Sequence, residues 1–271
     1  MLQDIAPRKF NIEYHDFPAA PDDTLLCFFG DSILAAKGEN ELRFPKMSDA
    51  PGCSAKFLFS IDDVRFFTAQ CGAIPGFELI PVRSLRHRKP MHLAFAAAVG
   101  YRLNCWYETN CFCSKCAEPY EHSKTERALL CPKCGNIIYP TICPSVIIAV
   151  RNGDRLLLTR YQPSHSPYSH YALCAGYIET GESAEDAVRR ELMEEVGLKV
   201  KNITYYKSQP WVFSGALLLG YFCDVDGGDT ITRDENELSE ALWVSRADMP
   251  VRSGDVSLTS EMMEQFRLGE Y

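Results

Sequence analysis

The sequence predicts an α+β protein in three parts: an N-terminal mixed α+β domain over residues 1–95, a linking helix and a zinc ribbon over 96–140, and a C-terminal α+β domain over 141–271. Three observations carry this. Short apolar runs punctuated by Pro, Gly and Asp recur on both sides of residue 100, the pattern of strands. Two Cys-x-x-Cys pairs lie in between. One uninterrupted helical stretch, Ala184 to Val196, follows them and carries an acidic stripe.

In the first part, Leu25–Phe29, Ala55–Ile61 and Val64–Ala69 read as strands. No catalytic constellation stands out there, so a structural, mostly β role is expected. Cys27, Cys53 and Cys71 read as small buried hydrophobes. The basic run Arg83, Arg86, His87, Arg88 and Lys89 reads as a solvated loop, with a phosphate-contacting patch as the rival reading. From Met91 to Leu103 the pattern turns helical, with Leu93, Ala94, Ala97, Ala98 and Tyr101 on one side.

Cys113-x2-Cys116 and Cys131-x2-Cys134 are two knuckles separated by 14 residues. Four thiolates at this spacing suit one tetrahedral structural Zn2+. All four positions are protein ligands, which leaves no open position for chemistry. The expected role is to hold a segment too small to build a core of its own. A thioredoxin-type redox motif needs only one such pair in a βαβ setting and fits less well. Cys111 and His122 lie outside the symmetric set and are not expected as ligands.

Beyond the ribbon, Ser145–Val150 and Leu156–Tyr161 read as strands joined by the Asn152-Gly153-Asp154 turn. The segment from Gln162 to His170 reads as a polar loop in which His165 and His170 are solvated rather than catalytic. Tyr171–Ala175, Ile203–Tyr206, Ala216–Val225 and Ala241–Ser245 follow as strands, with an acidic loop over Asp234–Glu240 and a last helix near Leu258–Phe266. Trp211 and Phe213, beside Pro210, fit either a core contact or a wall on which a flat ring stacks.

The helical stretch is the chemical centre. Ser183 is a good N-cap with Glu185 and Asp186 in the first turn, and Gly197 is a good stop. Val188, Leu192 and Val196, spaced at i, i+4 and i+8, form a stripe for a core. Glu191, Glu194 and Glu195 form a neighbouring stripe. Like charges at that spacing cost about 0.2–0.5 kcal/mol per pair in a bare helix, so a cation is expected to offset them. Hard divalent ions such as Mg2+ take a few carboxylates together with substrate phosphates. A solvated acidic face is the bland alternative, and the register of Gly176, Glu182, Arg190 and Gly197 around the stripe argues against it.

Read together, Gly176, Glu182, Arg190-Glu191-Leu192, Glu194-Glu195 and Gly197-Leu198 make the pattern G-x5-E-x7-R-E-L-x-E-E-x-G-L. This resembles the complete signature of the Nudix hydrolases. The four-Cys ribbon ahead of it and Ser208-Gln209-Pro210-Trp211 behind it resemble the NADH pyrophosphatase branch of that family, from about Met91 to the C-terminus. The branch pattern continues as SQPWPFPxS; this chain has Val212, Ser214 and Ala216 where the pattern has Pro, Pro and Ser.

The resemblance implies an α/β/α sandwich with a mixed sheet for the C-terminal domain and a Nudix-like N-terminal domain. It implies metal-dependent hydrolysis of the pyrophosphate of NADH or NAD+ to nicotinamide mononucleotide and AMP, or removal of the NAD cap from RNA by the same cut. By motif position Glu191, Glu194, Glu195 and Glu237 would hold Mg2+ or Mn2+, and Glu195 would orient or deprotonate the attacking water. Arg190 would pair with Glu182. Tyr177 and Tyr139 would sandwich the nicotinamide, one from each subunit of a homodimer, and Gln209, Trp211 and Phe213 would line the substrate pocket. ADP-ribose or another nucleoside diphosphate derivative is the nearest rival substrate. A non-catalytic nucleotide sensor is the rival from another class, and the complete set of box carboxylates argues against it.

Composition bounds the partners. A net charge of -8 argues against a broadly basic nucleic-acid surface. No apolar run approaches the roughly 18 residues of a membrane span. The start of the chain lacks the apolar region of a secretory signal, and 12 Cys without one imply a reducing, cytoplasmic setting.

Overall fold

The computed structural model describes residues 1–38, 41–164, 170–250 and 256–271. His165 lies outside them. The chain divides into two units, Leu2–Thr141 with Val212–Gly215, and Ile142–Trp211 with Ala216–Tyr271 and Met1.

The N-terminal unit contains a four-stranded sheet of β1 (Phe10–Asn11), β2 (Thr24–Leu26), β5 (Lys56–Ile61) and β6 (Val64–Thr68), in the order β1-β5-β6-β2. The β2–β6 pair is parallel and the others antiparallel, so this sheet is mixed. A three-stranded sheet is formed by β3 (Phe28–Phe29), β4 (Ser32–Ala36) and β7 (Phe77–Pro81). The helix α1 (Met91–Thr109) buries every residue from Ala94 to Gly100. Gly100 is needed for that approach, because a Cβ there would stand 2.4 Å from Leu26 Cδ1. The basic run folds as a 3-10 helix, Val82–His87, that buries Val82 and Leu85, so it is not a plain loop.

One cysteine expectation is corrected here. Cys27 and Cys71 are joined in a disulfide, with Cα atoms 6.4 Å apart. Strands β2 and β6 run side by side in the same direction, Leu26 opposite Thr68, and so deliver the residues that follow them to one place. Cys53 keeps a free thiol.

The ribbon is built from three two-residue strands, β8 (Glu121–His122), β9 (Leu129–Leu130) and β10 (Ile137–Ile138). Its knuckles repeat one another. Ala117 N–H donates to Cys113 C=O at 2.8 Å and Gly135 N–H to Cys131 C=O at 3.0 Å. The residue after the second cysteine is left-handed in both, with φ of 60° at Ala117 and 70° at Gly135.

The C-terminal unit is a mixed six-stranded sheet between two helices. Its strands are β11 (Cys143–Asn152), β12 (Arg155–Tyr161), β13 (Cys174–Tyr177), β14 (Val200–Trp211), β15 (Ala216–Val225) and β16 (Leu238–Ser245). The order is β14-β15-β11-β12-β16, with β13 on β11, and only β11–β15 is parallel. Period-two alternation in β11 sends Val146, Ile148 and Val150 into a core with Val188, Leu192 and Val196 of α2 (Ala184–Val196). It sends Ile147 and Ala149 into a second core with Met262, Met263 and Phe266 of α3 (Leu258–Leu268). A strand covered on both faces reads as an unbroken apolar run, and the run from Val146 to Val150 is one.

Three expected boundaries move. Ser208–Trp211 is not a segment between strands; it is the end of β14, paired with Ala216–Leu219. Pro210 is tolerated because β14 is an edge strand. Strand β13 begins at Cys174 rather than Tyr171, and β16 begins at Leu238 inside the expected acidic loop. Among the described residues no helix is long and apolar enough to cross a membrane.

Candidate active site

The site grows from the C-terminal half of α2, the loop that leads into the helix and the strand before it. Ser183 caps the helix: its Oγ accepts from Asp186 N–H at 3.2 Å and its hydroxyl donates to Asp186 Oδ2 at 2.6 Å. Gly197 ends the helix in the left-handed conformation, φ 68°, with Leu198 N–H returning to Leu192 C=O at 3.1 Å. Both ends are therefore held locally, and the acidic stripe is presented on a rigid element.

Arg190 is the hub. Its Nε and Nη2 donate to both oxygens of Glu182, at 2.8 and 2.9 Å. Its Nη1 donates to Glu191 Oε1 at 2.7 Å and Glu194 Oε2 at 3.1 Å, and its Nη2 also reaches Tyr177 C=O at 2.9 Å. A planar guanidinium suits such a bidentate and bridging role, which a lysine ammonium would not reproduce. The Arg190 hydrogen bonds, with the Glu179 N–H, hold the Glu182 carboxyl down at about 2. Loop, helix and strand end are thereby tied at one point.

Glu195 is the opposite case. It is 1% exposed, and neither carboxylate oxygen makes a hydrogen bond of normal geometry among the described residues, although the Cys174 thiol and the Ala175 N–H lie close enough to act on it. Burial pushes its pKa up to about 8; the Cys174 thiol opposes this, and the charges of Glu237 and Glu191 add to it. Glu191 is also raised, by burial first, with Arg190 pulling the other way. A buried carboxylate so poorly hydrogen-bonded, beside two more carboxylates, is costly without a cation. The donor set, hard oxygen apart from one thiol, is of the chemical kind that Mg2+ or Mn2+ takes, while among the described residues only the four ribbon cysteines already stand within reach of a single ion.

Gly176 has a specific task. A Cβ there would lie 1.9 Å from Glu191 Cδ and Oε1. The obstruction is the end of a flexible side chain, so Gly176→Ala is expected to fold with little loss of stability. It must displace Glu191, and a displacement of this size costs about 10²-fold in kcat. Steady-state kinetics beside a melting curve checks this, and unchanged kcat would mean that Glu191 is not needed where it stands.

The other expected residues are distributed unevenly. Tyr177, at the end of β13, is 54% exposed. Trp211 is half-buried at the end of β14, with part of its ring on the α3-side core. Gln209 departs from the expected substrate contact. It is fully buried, and its amide donates to Val256 C=O at 2.8 Å and accepts from Leu258 N–H at 2.7 Å. It therefore anchors the start of α3 to β14. Tyr139 and Phe213 belong to the N-terminal unit; Tyr139 is exposed, and its hydroxyl donates to Glu126 Oε1 at 3.2 Å. Two neighbours of Glu195 escaped the sequence reading. Cys174 is fully buried beside it, and the Tyr161 hydroxyl is raised by burial and then by Glu195, Cys174, Glu237 and Glu191. Nothing in a lone Cys or Tyr at a strand end distinguishes it from core.

A metal centre is formed by the ribbon cysteines. The sulfurs of Cys113, Cys116, Cys131 and Cys134 all lie within 4.8 Å of one another, with Cys113–Cys134 at 3.6 Å and Cys116–Cys131 at 3.5 Å. Four sulfurs about 2.3 Å from a tetrahedral Zn2+ stand roughly 3.8 Å apart, so the cluster fits zinc. Cys111 instead donates to Glu108 C=O at 3.1 Å, and His122 packs on the Tyr107 ring at 5.0 Å.

Comparison with known proteins matches both segments. Residues 141–266 match the NUDIX domain and residues 108–139 the NADH pyrophosphatase zinc ribbon domain. The chain is 40% identical over 147 residues to the NAD-capped RNA hydrolase NudC of Haemophilus influenzae strain PittGG, covering 54% of this chain and 55% of that protein. It thus spans about half the length of that relative. It is 37% identical over 206 residues to the NAD-capped RNA hydrolase NudC of Chromobacterium violaceum, covering 76% of this chain and 75% of that one. A solved Nudix hydrolase from Nitrosomonas europaea superposes with a TM-score of 0.48 at 20% identity, over 58% of this chain and 93% of that chain. The chain belongs to the Nudix family, among the members that carry the NADH pyrophosphatase zinc ribbon.

Proposed function

We propose that this protein hydrolyses the pyrophosphate of NADH or NAD+ to nicotinamide mononucleotide and AMP, using Mg2+ or Mn2+. The observation that carries the proposal is Glu195, a buried carboxylate whose oxygens make no hydrogen bond of normal geometry among the described residues, set beside Glu191 and Glu237 on an α2 held by Arg190. Glu191, Glu194, Glu195 and Glu237 would hold the ion. When bound, it supplies charge neutralisation for the diphosphate and a lowered pKa for water.

The chain's own residues do the rest. Glu195 orients the attacking water and accepts its proton. The water oxygen bonds to one phosphorus as the bridging P–O bond breaks, and the bridging oxygen leaves with the other phosphate. Arg190 keeps Glu182, Glu191 and the Tyr177 backbone in one arrangement, so the carboxylates need not reorganise during the reaction. Tyr177 and Trp211 offer ring faces to the dinucleotide, and Gln209 serves indirectly, by fixing β14 to α3. With Tyr139 from the partner subunit, Tyr177 would close on the nicotinamide in a homodimer. Phe112, Leu130, Ile137 and Tyr139, all exposed on and around the ribbon, supply apolar surface for that contact. Phe213 would extend the aromatic wall, and a cytoplasmic location is read from the ten cysteines that stay free beside the one Cys27–Cys71 pair.

NAD-capped RNA is the second reading, favoured by the H. influenzae and C. violaceum relatives, which are named as NAD-capped RNA hydrolases. The test supplies equal NADH, NAD+, ADP-ribose and an NAD-capped RNA with Mg2+ or Mn2+, and follows release of AMP or a 5'-monophosphate end. Fastest turnover of NADH or NAD+ supports the first reading; fastest turnover of the capped RNA replaces it with the second. Preference for ADP-ribose would remove the nicotinamide ring from the specificity altogether. Trp211→Ala is expected to raise KM about tenfold with kcat nearly kept, the scale of one lost stacking contact. Sedimentation of the same sample reports the oligomer, and a fully active monomer would end the composite-site part of the proposal.

A further inference from the structure

We propose that the N-terminal unit carries a second, non-catalytic site for a sugar phosphate of nucleoside-monophosphate size, in the cavity between the β5–β6 pair and the C-terminal end of α1. The cavity measures about 620 Å³, within the range of small-molecule sites. Its walls follow from two periodicities. Lys56 and Thr68 are directly opposed in β5 and β6, and Ser54 and Gln70 lie two residues further toward the same end, so all four share one face. Asn104, Tyr107, Glu108 and Cys111 approach it at i, i+3, i+4 and i+7.

The cavity opens to solvent, with Ser54, Lys56, Gln70, Glu108 and Cys111 exposed and Tyr107 and Thr68 buried at its base. The Lys56 ammonium sits 4.9 Å over the Tyr107 ring and has no carboxylate within salt-bridge distance among the described residues. The Asn104 Oδ1 accepts from the Thr68 hydroxyl at 2.9 Å, which leaves its Nδ2 hydrogens for the cavity. The side chains of Ser54 and Gln70 have no hydrogen bond among the described residues. Desolvation against the Tyr107 ring lowers the Lys56 pKa, with Cys111 and Glu108 opposing, although the residue as a whole stays exposed.

The donor count names the ligand class. Residues bearing an ammonium, two carboxamides and a free hydroxyl line one space together with the single carboxylate of Glu108. A phosphomonoester offers three acceptor oxygens and up to two negative charges to the donors, and sugar hydroxyls would donate to Glu108. A lysine near a helix C-terminus also favours the helix dipole, so the test must separate binding from that structural role.

Cys111 is an exposed thiol on the rim and serves as a local reporter. The zinc-loaded full chain is labelled with N-ethylmaleimide, and the Cys111 peptide is quantified by mass spectrometry with AMP, ribose 5-phosphate, inorganic phosphate or adenosine present. AMP or ribose 5-phosphate at ten times its Kd is expected to slow Cys111 labelling about tenfold; adenosine is not. Lys56→Met should abolish the protection, Lys56→Arg should retain it, and Glu191→Gln should leave it intact. Gln70→Leu, which keeps Lys56, provides a second loss variant should Lys56→Met fail to fold. No protection at millimolar sugar phosphate, or protection that survives both Lys56→Met and Gln70→Leu, overturns the site. Equal protection by inorganic phosphate overturns the sugar phosphate class.

Discussion

Glu195→Gln is expected to lower kcat about 10²–10⁴-fold, the range for loss of a positioned general base, while the protein folds normally. The same substitution should raise the stability of protein free of Mg2+ and Mn2+ at alkaline pH. The sign follows from burial. In the folded chain the Glu195 pKa is raised to about 8, against about 4.3 in an unfolded one. Between those values the folded state holds a proton that the unfolded state has released. Stability from this group is therefore fully present below the lower value and is lost as pH rises through about 8. The loss is on the order of a few kcal/mol, and Gln, which carries no charge, removes it.

Melting temperature from pH 5 to 9 should fall more steeply in wild type than in Glu195→Gln. A residue that is merely structural predicts the reverse, a variant less stable at every pH. Retained turnover in Glu195→Gln would take the proposed role away. Adding Mg2+ should flatten the wild-type curve, because a bound cation stabilises the charged carboxylate and whatever binds only the folded state stabilises it.

Zinc removal is expected to have the largest effect on stability. Apparent binding energies of structural Zn2+ in small zinc-finger peptides are about 10–16 kcal/mol at neutral pH. The ribbon's three strands have two residues each, too few to hold a sheet unaided. Stripping the metal should expose the segment around the Cys knuckles to protease and lower the melting temperature of the N-terminal unit. Cys131→Ser should do the same without a chelator, since Cys131 is fully buried and its N–H and C=O close the second knuckle. Unchanged protease resistance after verified zinc loss would exclude a structural role. Because all four zinc positions are thiolates, any activity lost with the metal should return on refolding with zinc at unaltered kcat.

What was legible in the sequence was whatever short-range periodicity and capping chemistry decide. The limits of α2 could be read from Ser183 and Gly197, because caps act within four residues of the ends they satisfy. The zinc cluster could be read because each knuckle brings its two sulfurs together by local turns. The Gly-Glu-Arg-Glu register of the helix was enough to resemble the family to which the chain belongs.

Only the tertiary structure decided the rest, and always through contacts between distant segments. Parallel pairing of β2 with β6 brings Cys27 to Cys71, 44 residues away. Gln209 stands beside two residues of an apparent substrate motif, yet it is consumed by the start of α3, about 50 residues on, because an edge strand must be tied to its covering helix. Cys174 and Tyr161 reach Glu195 from β13 and β12, and a single residue at a strand end carries no periodic signal. Gly176 is required by a side chain 15 residues away, since Glu191 occupies the volume a Cβ would take. Local chemistry thus wrote the helix, its acidic stripe and the ribbon into the sequence. Sheet register and helix packing decided which of those groups are buried, charged and in contact, because burial is a property of the assembled layers and not of any one segment.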